Sequence, residues 1–207
     1  SAKKILNSIQ KFYNQNKSSL EQNLIVPKKR HKKIKFSLPS IACILILYHV
    51  SGYKTFKYFY FDYVSRYLKR LFPDLPSYSW FLRIEKSAIF LMLAYLQSLK
   101  GKQTGIYFID STPIKVCNNR RIHNHKTFAG LAERGHHSMG WFYGFKLHLI
   151  INEKGEIMEV YFSKGNKDDR IGLEKMGQEL EGLLIGDKGY ISSEHRERLA
   201  KQGLKLI

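Results

Sequence analysis

The chain has 207 residues, of which 43% are hydrophobic, so it is long enough for one substantial domain or for two smaller ones with their own cores. It carries 35 Lys and Arg against 17 Asp and Glu, and this net charge of +18 indicates a polyanionic partner. Two cysteines without CxxC spacing argue against a disulfide framework or a zinc finger and indicate a reducing compartment.

The positive charge is concentrated in the first half of the chain. Residues 1–100 carry 18 basic and 4 acidic side chains, whereas residues 101–207 carry 17 and 13. Nucleic acid is the polyanion that we expect, because neutralised phosphates release counterions and give affinity that does not depend on sequence. A basic protein that is merely soluble, or that touches anionic lipid, is the alternative.

The sequence also bears on location. The apolar run at residues 41–50 is about half the roughly 20 residues that a membrane-spanning helix needs, and no signal-peptide pattern is present. We therefore expect a cytoplasmic protein without a membrane anchor. Because the sequence lacks an initiating Met, we expect it to begin inside a longer reading frame.

The first hundred residues have the pattern of a helical region. Residues 1–26 have weak helical character, and helices are predicted over about 40–50, 53–72 and 77–99, the last two separated by a Pro-bounded turn. This helix, turn and helix is compatible with a helix-turn-helix on DNA and equally with an ordinary helical hairpin. Its cations are Lys54, Lys57, Arg66, Lys69, Arg70 and Arg83.

A basic run precedes these helices at residues 28–35. Such a run repels itself and stays extended until a phosphate backbone relieves the repulsion, so it is either a segment that contacts DNA or a solvated linker. The candidate DNA contacts in it are Lys28, Lys29, Arg30, Lys32 and Lys33.

The second half of the chain mixes strands and helices. A strand over residues 104–109 ends at Asp110, and a loop of nearly thirty residues follows it. A β-hairpin is predicted over residues 140–163 around a turn at Gly155, followed by a helix at 169–181, a buried strand at 183–186, a helix at 192–202 and the start of another strand. Antiparallel strands followed by alternating helices and strands predict an α/β (α+β) fold, a mixed sheet with helices on its faces.

Two acids follow strands in the same way. Asp110 closes the strand at 104–109, and Asp187 closes the strand at 183–186. The carboxyl edge of an open α/β sheet is where ligands bind, so two acids placed alike predict a shared metal site. For either acid alone, a turn or a helix cap is the alternative.

The motifs around these acids resemble those of DDE transposases of bacterial insertion sequences. FIDSTPIK (108–115) is similar to their first-acid motif, WFYGFKLHLI (141–150) to the following strand, SKGNKDDR (163–170) to their GNxxD segment, GDKGY (186–190) to their second-acid motif, and FPDLPSYSWF (72–81) to an N-terminal helical region. The resemblance covers most of residues 50–207. It implies a ribonuclease-H-like catalytic domain over residues 101–207 and a basic, helical DNA-binding region over residues 1–100.

The resemblance implies a transposase that binds element-end and target double-stranded DNA, as a homodimer, and that cuts and joins strands. Asp110 and Asp187 would hold Mg²⁺ or Mn²⁺, which activate the attacking oxygen and stabilise the leaving oxygen. The family's third acid is a Glu on a helix well beyond the second Asp, and only twenty residues follow Asp187, so we expect a chain that ends before it. The alternatives are an inactive, truncated transposase that only binds DNA and a metal nuclease of the same fold.

Other side chains near the acids are candidates for DNA contact or for support of the site. Asp169 is predicted to cap the helix that follows it, and a supporting contact near the acids is the alternative. The loop after Asp110 is predicted to lie along DNA, with a disordered loop or a zinc site made by its histidines as alternatives. The strand at 140–151 places Lys146 and His148 on one face, either beside the active site or on the wetter side of the strand. The predicted DNA contacts in this half are Lys115, Arg120, Arg121, Lys126, Lys146, His148 and Lys188.

Overall fold

The structure is a computed structural model that describes residues 1–23 and 36–207. These residues form two compact units, Ser1–Ser98 and Leu99–Ile207. None of the helices within these two ranges is both long and apolar enough to cross a membrane. The predicted DNA contacts in the basic run, Lys28, Lys29, Arg30, Lys32 and Lys33, lie outside the described residues.

The first unit is helical. Its elements are α1 (Ala2–Asn23), α2 (Leu38–Val50), α3 (Phe56–Tyr58), a π-helical segment (Phe59–Val64), α4 (Ser65–Tyr67), α5 (Tyr78–Ile84), a 3₁₀ segment (Glu85–Ala88) and α6 (Ile89–Ser98). Ser37 caps α2 and Ser77 caps α5, because each hydroxyl accepts a bond from the N–H three residues later.

The core of this unit is built from aliphatic and aromatic side chains spaced along these helices. Ile9, Ile44, Phe59 and Phe81 are fully buried in it. The helix predicted over 40–50 is confirmed. The one predicted over 77–99 is divided into α5 and α6 by the 3₁₀ segment, and the one predicted over 53–72 is present over a shorter stretch with a π-helical middle. The segment with weak helical character forms α1, because burial of Ile9 supplies the stability that its own composition does not.

The second unit is a six-stranded mixed sheet with two helices. The strands are β1 (Ile106–Cys117), β2 (Glu133–His137), β3 (Gly140–Asn152), β4 (Ile157–Lys164), β5 (Gly182–Gly186) and β6 (Leu204–Leu206), and the helices are α7 (Asp169–Met176) and α8 (Ser193–Lys201). Short 3₁₀ segments lie at Asn119–Asn124, Gly177–Glu179 and Lys188–Tyr190. The strand order is β2-β3-β1-β5-β6, with β4 also paired to β3.

Strand β1 is antiparallel to β3 and parallel to β5, and this mixed arrangement is consistent with a ribonuclease-H-like fold. The predicted α/β fold class is therefore confirmed. The turn between β3 and β4 has Gly155 at φ 76°, a left-handed conformation that glycine adopts without steric cost, as expected from the sequence.

The prediction that the first strand ends before Asp110 is wrong. Strand β1 runs on to Cys117, because its antiparallel pairing with β3 continues after its parallel pairing with β5 stops at Ile109 and Gly186. Pro113 fits in this extension because β1 no longer has β5 beside it there, so a missing N–H costs no ladder bond on that side. The predicted long loop is correspondingly shorter, and β2 occupies its last part.

The two faces of the sheet differ in what covers them. The helix-covered face carries Tyr107, Ile109, Ile150 and Leu184, which pack with side chains of α7 and α8 in one buried cluster. Because side chains alternate along a strand, the residues between these point to the opposite, half-exposed face. Phe108, for example, is 40% exposed.

Candidate active site

Asp110 and Asp187 both lie where the pairing of β1 with β5 ends. The last paired residues are Ile109 and Gly186, so Asp110 is the next residue of β1 and Asp187 is the first residue after β5. The alternation of side chains along β1 places Asp110 on the half-exposed face of the sheet, and Asp187 caps the 3₁₀ segment that follows β5. Both side chains are exposed.

Each of these carboxylates is oriented by the backbone directly after it. The N–H of Ser111 donates to Oδ1 of Asp110 at 2.7 Å, and the N–H of Lys188 donates to Oδ1 of Asp187 at 2.6 Å. A carboxylate has about four lone-pair sites, so each acid keeps the capacity to bind a cation.

The donor set of two carboxylates fits a hard divalent cation. Mg²⁺ and Mn²⁺ prefer carboxylate oxygen, and Mg²⁺ retains several waters when it is bound by only one or two protein carboxylates. Within the described ranges, no group of three or more His, Cys, Asp or Glu residues is placed to hold a metal ion. The zinc alternative for the loop histidines therefore has no support in the described part of the chain.

A chain of polar contacts lies on the helix-covered face behind Asp110. Lys146 Nζ donates to Asp169 Oδ1 at 3.1 Å and to the carbonyl oxygen of Lys167 at 2.9 Å. The hydroxyl of Ser111 donates to the same oxygen of Asp169 at 2.9 Å. Ser111 thus joins Asp169, through its side chain, to Asp110, through its backbone N–H.

Two further buried polar groups flank this chain of contacts. Tyr190 is 2% exposed, and its hydroxyl has no hydrogen-bond partner among the described residues, although Ser111 lies near it. Burial raises the pKa of Tyr190 to about 12, and the charges of Asp169, Asp110 and Asp187 act in the same direction while Ser111 acts against it. The charges of all three acids therefore act on one buried hydroxyl.

His148 is fully buried on the same face. Its Nε2 lies 2.9 Å from the hydroxyl of Ser163, its ring centroid lies 5.9 Å from that of Tyr161, and its Nδ1 has no partner among the described residues. Burial lowers the pKa of His148, and the charge of Lys146 adds to this effect while that of Asp169 opposes it.

The structure contradicts three predictions about these residues. Lys146 is 8% exposed and His148 is fully buried, because both point towards α7, so neither is on the wetter face and neither can contact DNA. Asp168, not Asp169, caps α7, since its side chain accepts from the N–H of Arg170 at 2.9 Å. Asp169 is instead the acid that binds Ser111 and Lys146.

Sequence reasoning missed Ser111 and Tyr190. Ser111 directly follows an acid on a strand, and the alternation of side chains would have placed it opposite Asp110 once the strand was known to continue. Tyr190 belongs to the GDKGY motif, whose aromatic ring packs on the helix-covered face beside Gly186. Its position near three acids depends on contacts that no local pattern contains.

Steric crowding explains why a glycine, Gly165, stands at the start of the GNKDD segment. A Cβ on Gly165 would lie 2.6 Å from the carbonyl oxygen of Glu133 and 3.0 Å from that of Gly144. Three backbone segments therefore approach closely at this position, which leaves no room for a side chain.

The unit that contains the two acids also carries exposed basic side chains. Arg134 lies over the ring of Trp141, with its guanidinium carbon 4.8 Å from the ring centroid. Trp141 itself is 56% exposed. Five of the predicted DNA contacts in this unit are exposed, as that role requires: Lys115, Arg120, Arg121, Lys126 and Lys188.

The helical unit has a basic surface depression of its own. An open cavity of about 680 Å³ is lined by Arg66, Tyr67, Lys69, Arg70 and Pro73. Arg66 forms a 3.1 Å ion pair with Asp62, while Lys69 and Arg70 are exposed. Three cations and one exposed aromatic ring give this cavity the chemistry of a phosphate-binding surface.

Comparison with known proteins gives one positive result. The family model described as "Transposase DDE domain" matches residues 100–207, which is just over half of the chain. Neither a curated protein nor a solved structure gives a significant match.

Proposed function

Because the chain belongs to the DDE transposase family, we propose that it is the transposase of a bacterial insertion sequence and that Asp110 and Asp187 are its catalytic acids. The observation that carries this proposal is their placement. They directly follow the last paired residues of two neighbouring parallel strands, and both side chains are exposed.

Asp110 and Asp187 would together hold the divalent cation of the reaction. A bound Mg²⁺ or Mn²⁺ supplies Lewis-acid activation of the attacking oxygen and stabilises the leaving oxygen of a phosphodiester. The protein's own contribution is to fix the two carboxylates, through the N–H groups of Ser111 and Lys188, where a DNA strand can reach them.

DNA would be held by exposed cations in both units. Lys115, Arg120, Arg121, Lys126 and Lys188 belong to the same unit as the acids, and the cavity lined by Arg66, Lys69 and Arg70 offers a second set in the helical unit. Contacts of this kind bind the phosphate backbone and position the duplex without reading its sequence. By resemblance to the family, the substrates are element ends and target DNA, held by a homodimer in the bacterial cytoplasm.

The test is a cleavage and joining assay with labelled duplex DNA that carries the ends of the element, in the presence of Mg²⁺ or Mn²⁺. Asp110→Asn and Asp187→Asn each remove one negative charge at nearly constant volume. We expect each to lower the cleavage rate by more than about 100-fold, because even residues that only support metal ligands contribute 10- to 100-fold. Glu197→Gln, which neutralises an exposed acid on α8, is the matched control and should cleave normally.

Full activity in both variants would show that the acids are misassigned. Cleavage without strand joining would instead indicate a metal nuclease of the same fold.

A second candidate is a DNA-binding protein without catalysis. The observation that favours it is the basic cavity of the helical unit, where the exposed Lys69 and Arg70 offer DNA contacts that need no catalytic acid. Under this alternative, the unmodified chain shifts element-end DNA in a gel but cuts it with neither Mg²⁺ nor Mn²⁺.

A further inference from the structure

Strand β1 has a neighbouring strand on both sides before Asp110 and on only one side from Asp110 onwards. Up to Ile109 it is held by β3 on one side and by β5 on the other, whereas the pairing with β5 stops there and only that with β3 continues. The acid therefore lies at the first position where one side of the strand has lost its neighbour. The backbone that orients Asp110 needs another anchor at this point.

Ser111 provides a contact at this position. Its hydroxyl points to the helix-covered face and donates to Asp169 at the start of α7, while its N–H holds the carboxylate of Asp110 on the other face. The side chain of Ser111 is thus bound to a helix, and its backbone is bound to the acid.

Lys146 fixes the acceptor of this bond. Its ammonium group, nearly buried on β3, donates both to Asp169 and to the carbonyl oxygen of Lys167 in the segment before α7. The side chain of Lys146 is 10% exposed and that of Asp169 is 31% exposed, so the pair is more shielded than the exposed pair between Lys164 and Glu133. Lys146 of β3 is therefore bound to the segment before α7 and to Asp169, and Asp169 accepts a second bond from Ser111 of β1.

We propose that Lys146, Asp169 and Ser111 form a positioning network that fixes the carboxylate of Asp110 from the opposite face of β1. This inference rests on the proposed function, because it assigns the network to the site formed by Asp110 and Asp187. The three residues touch neither DNA nor cation. They act by setting where the Asp110 oxygens lie.

The principal test is Ser111→Ala, which removes the hydroxyl, changes no charge and keeps the backbone N–H. The readouts are the Mn²⁺ dissociation constant of the full chain without DNA, measured by titration calorimetry, and the rate of DNA cleavage. Loss of a contact that orients a metal ligand typically costs about 10- to 100-fold in affinity or activity, and we expect about 10-fold in both readouts. Ser111→Thr keeps a hydroxyl and should restore both.

Ser163→Ala is the matched control. Ser163 is a buried serine that faces the same side of the sheet from β4, and its hydroxyl binds His148 instead of Asp169. A merely structural role for buried hydroxyls predicts equal effects of Ser111→Ala and Ser163→Ala on Mn²⁺ affinity. The network predicts that only Ser111→Ala weakens it, even where both variants lower the melting temperature equally.

A second pair of variants separates position from charge. Lys146→Met combined with Asp169→Asn and Lys146→Met combined with Asp169→Ala both keep the net charge of the wild type. An asparagine can still accept the bond from Ser111, whereas an alanine cannot. We therefore expect the combination with Asn to bind Mn²⁺ about 10-fold more tightly than the combination with Ala.

The outcomes distinguish the two proposals. A wild-type chain that binds no Mn²⁺ and cuts no DNA overturns both the proposed function and the network. A wild-type chain that does both, with Ser111→Ala indistinguishable from it or with the two double variants alike, overturns the network alone. If the wild-type chain binds Mn²⁺ without cutting DNA, the network is still tested by comparing the Mn²⁺ affinities of the variants with that of the wild type.

Discussion

The contact between α7 and β3 makes a direct prediction about Gly172. A Cβ added at this residue would lie 2.6 Å from both Cγ and Nδ1 of the His148 ring. The ring is fully buried, and its Nε2 lies 2.9 Å from the hydroxyl of Ser163, so it cannot move aside without losing that contact. Gly172→Ala should therefore push α7 away from β3.

The expected cost follows from two opposing effects. Forcing a methyl group into a packed interior costs about 1–3 kcal/mol. Replacing a glycine inside a helix by alanine returns about 1 kcal/mol, because the unfolded chain loses less freedom on folding. The difference is a net cost of up to about 2 kcal/mol in the free energy of unfolding, which urea denaturation followed by circular dichroism would measure.

Gly177→Ala is the control at the end of the same helix, where the nearest atom to a new Cβ is Cδ2 of Leu199 at an ordinary 3.4 Å. A second control is Gly172→Ala in a His148→Ala background, where the ring that it would strike is absent and the substitution should cost nothing. Equal stability of Gly172→Ala and Gly177→Ala, or a cost that persists without the His148 ring, would refute the steric explanation.

Three further predictions follow from buried groups. Burial lowers the pKa of His148, so below about pH 6.5 the folded chain binds fewer protons than the unfolded chain. The free energy of unfolding should therefore fall as the pH drops from 6.5 towards the pKa of His148 in the folded chain. His148→Gln should flatten this pH dependence, as urea titrations at several pH values would show. Burial raises the pKa of the Cys43 thiol to about 12 and hides it from solvent, whereas Cys117 is only half-buried. An alkylating reagent should therefore label Cys117 in the folded protein and Cys43 only after denaturation, which mass spectrometry of the peptides would show. Tyr190→Phe removes a buried hydroxyl without a partner among the described residues, so the melting temperature should stay the same or rise; a clear drop would mean that the hydroxyl makes a contact.

Local patterns in the sequence were sufficient for part of the fold. Strands β3, β4 and β5 and helices α7 and α8 lie close to their predicted positions, because each has a complete apolar pattern and its own turn or cap. The apolar run before each acid predicted the two strands, the order of strands and helices predicted that these strands are neighbours, and the pairing of β1 with β5 agrees with it. Their catalytic role stays a prediction.

The rest depended on contacts between distant residues. The extension of β1 to Cys117 comes from pairing with β3, and the segment from Ser111 onwards has no apolar alternation that would reveal a strand. The alternation in β3 correctly separated Lys146 from Leu147, but it could not say which face a helix twenty residues later would cover. The helix begins at Asp169 as predicted, but its N-cap is the residue before it, Asp168, so the side chain of Asp169 is available to Ser111 and Lys146.

Asp110 and Ser111 point to opposite faces of one strand, which restricts the insertions and deletions that this part of the chain can tolerate. Deleting one residue between Gly105 and Asp110, with the pairing kept, would turn the acid beneath α7 and bring the serine to the half-exposed face. Deleting two would return the acid to its face but move it by about 7 Å along the strand, away from Asp187. Changes in the length of β1 should therefore be far more damaging to a working copy of this protein than most exchanges of its side chains.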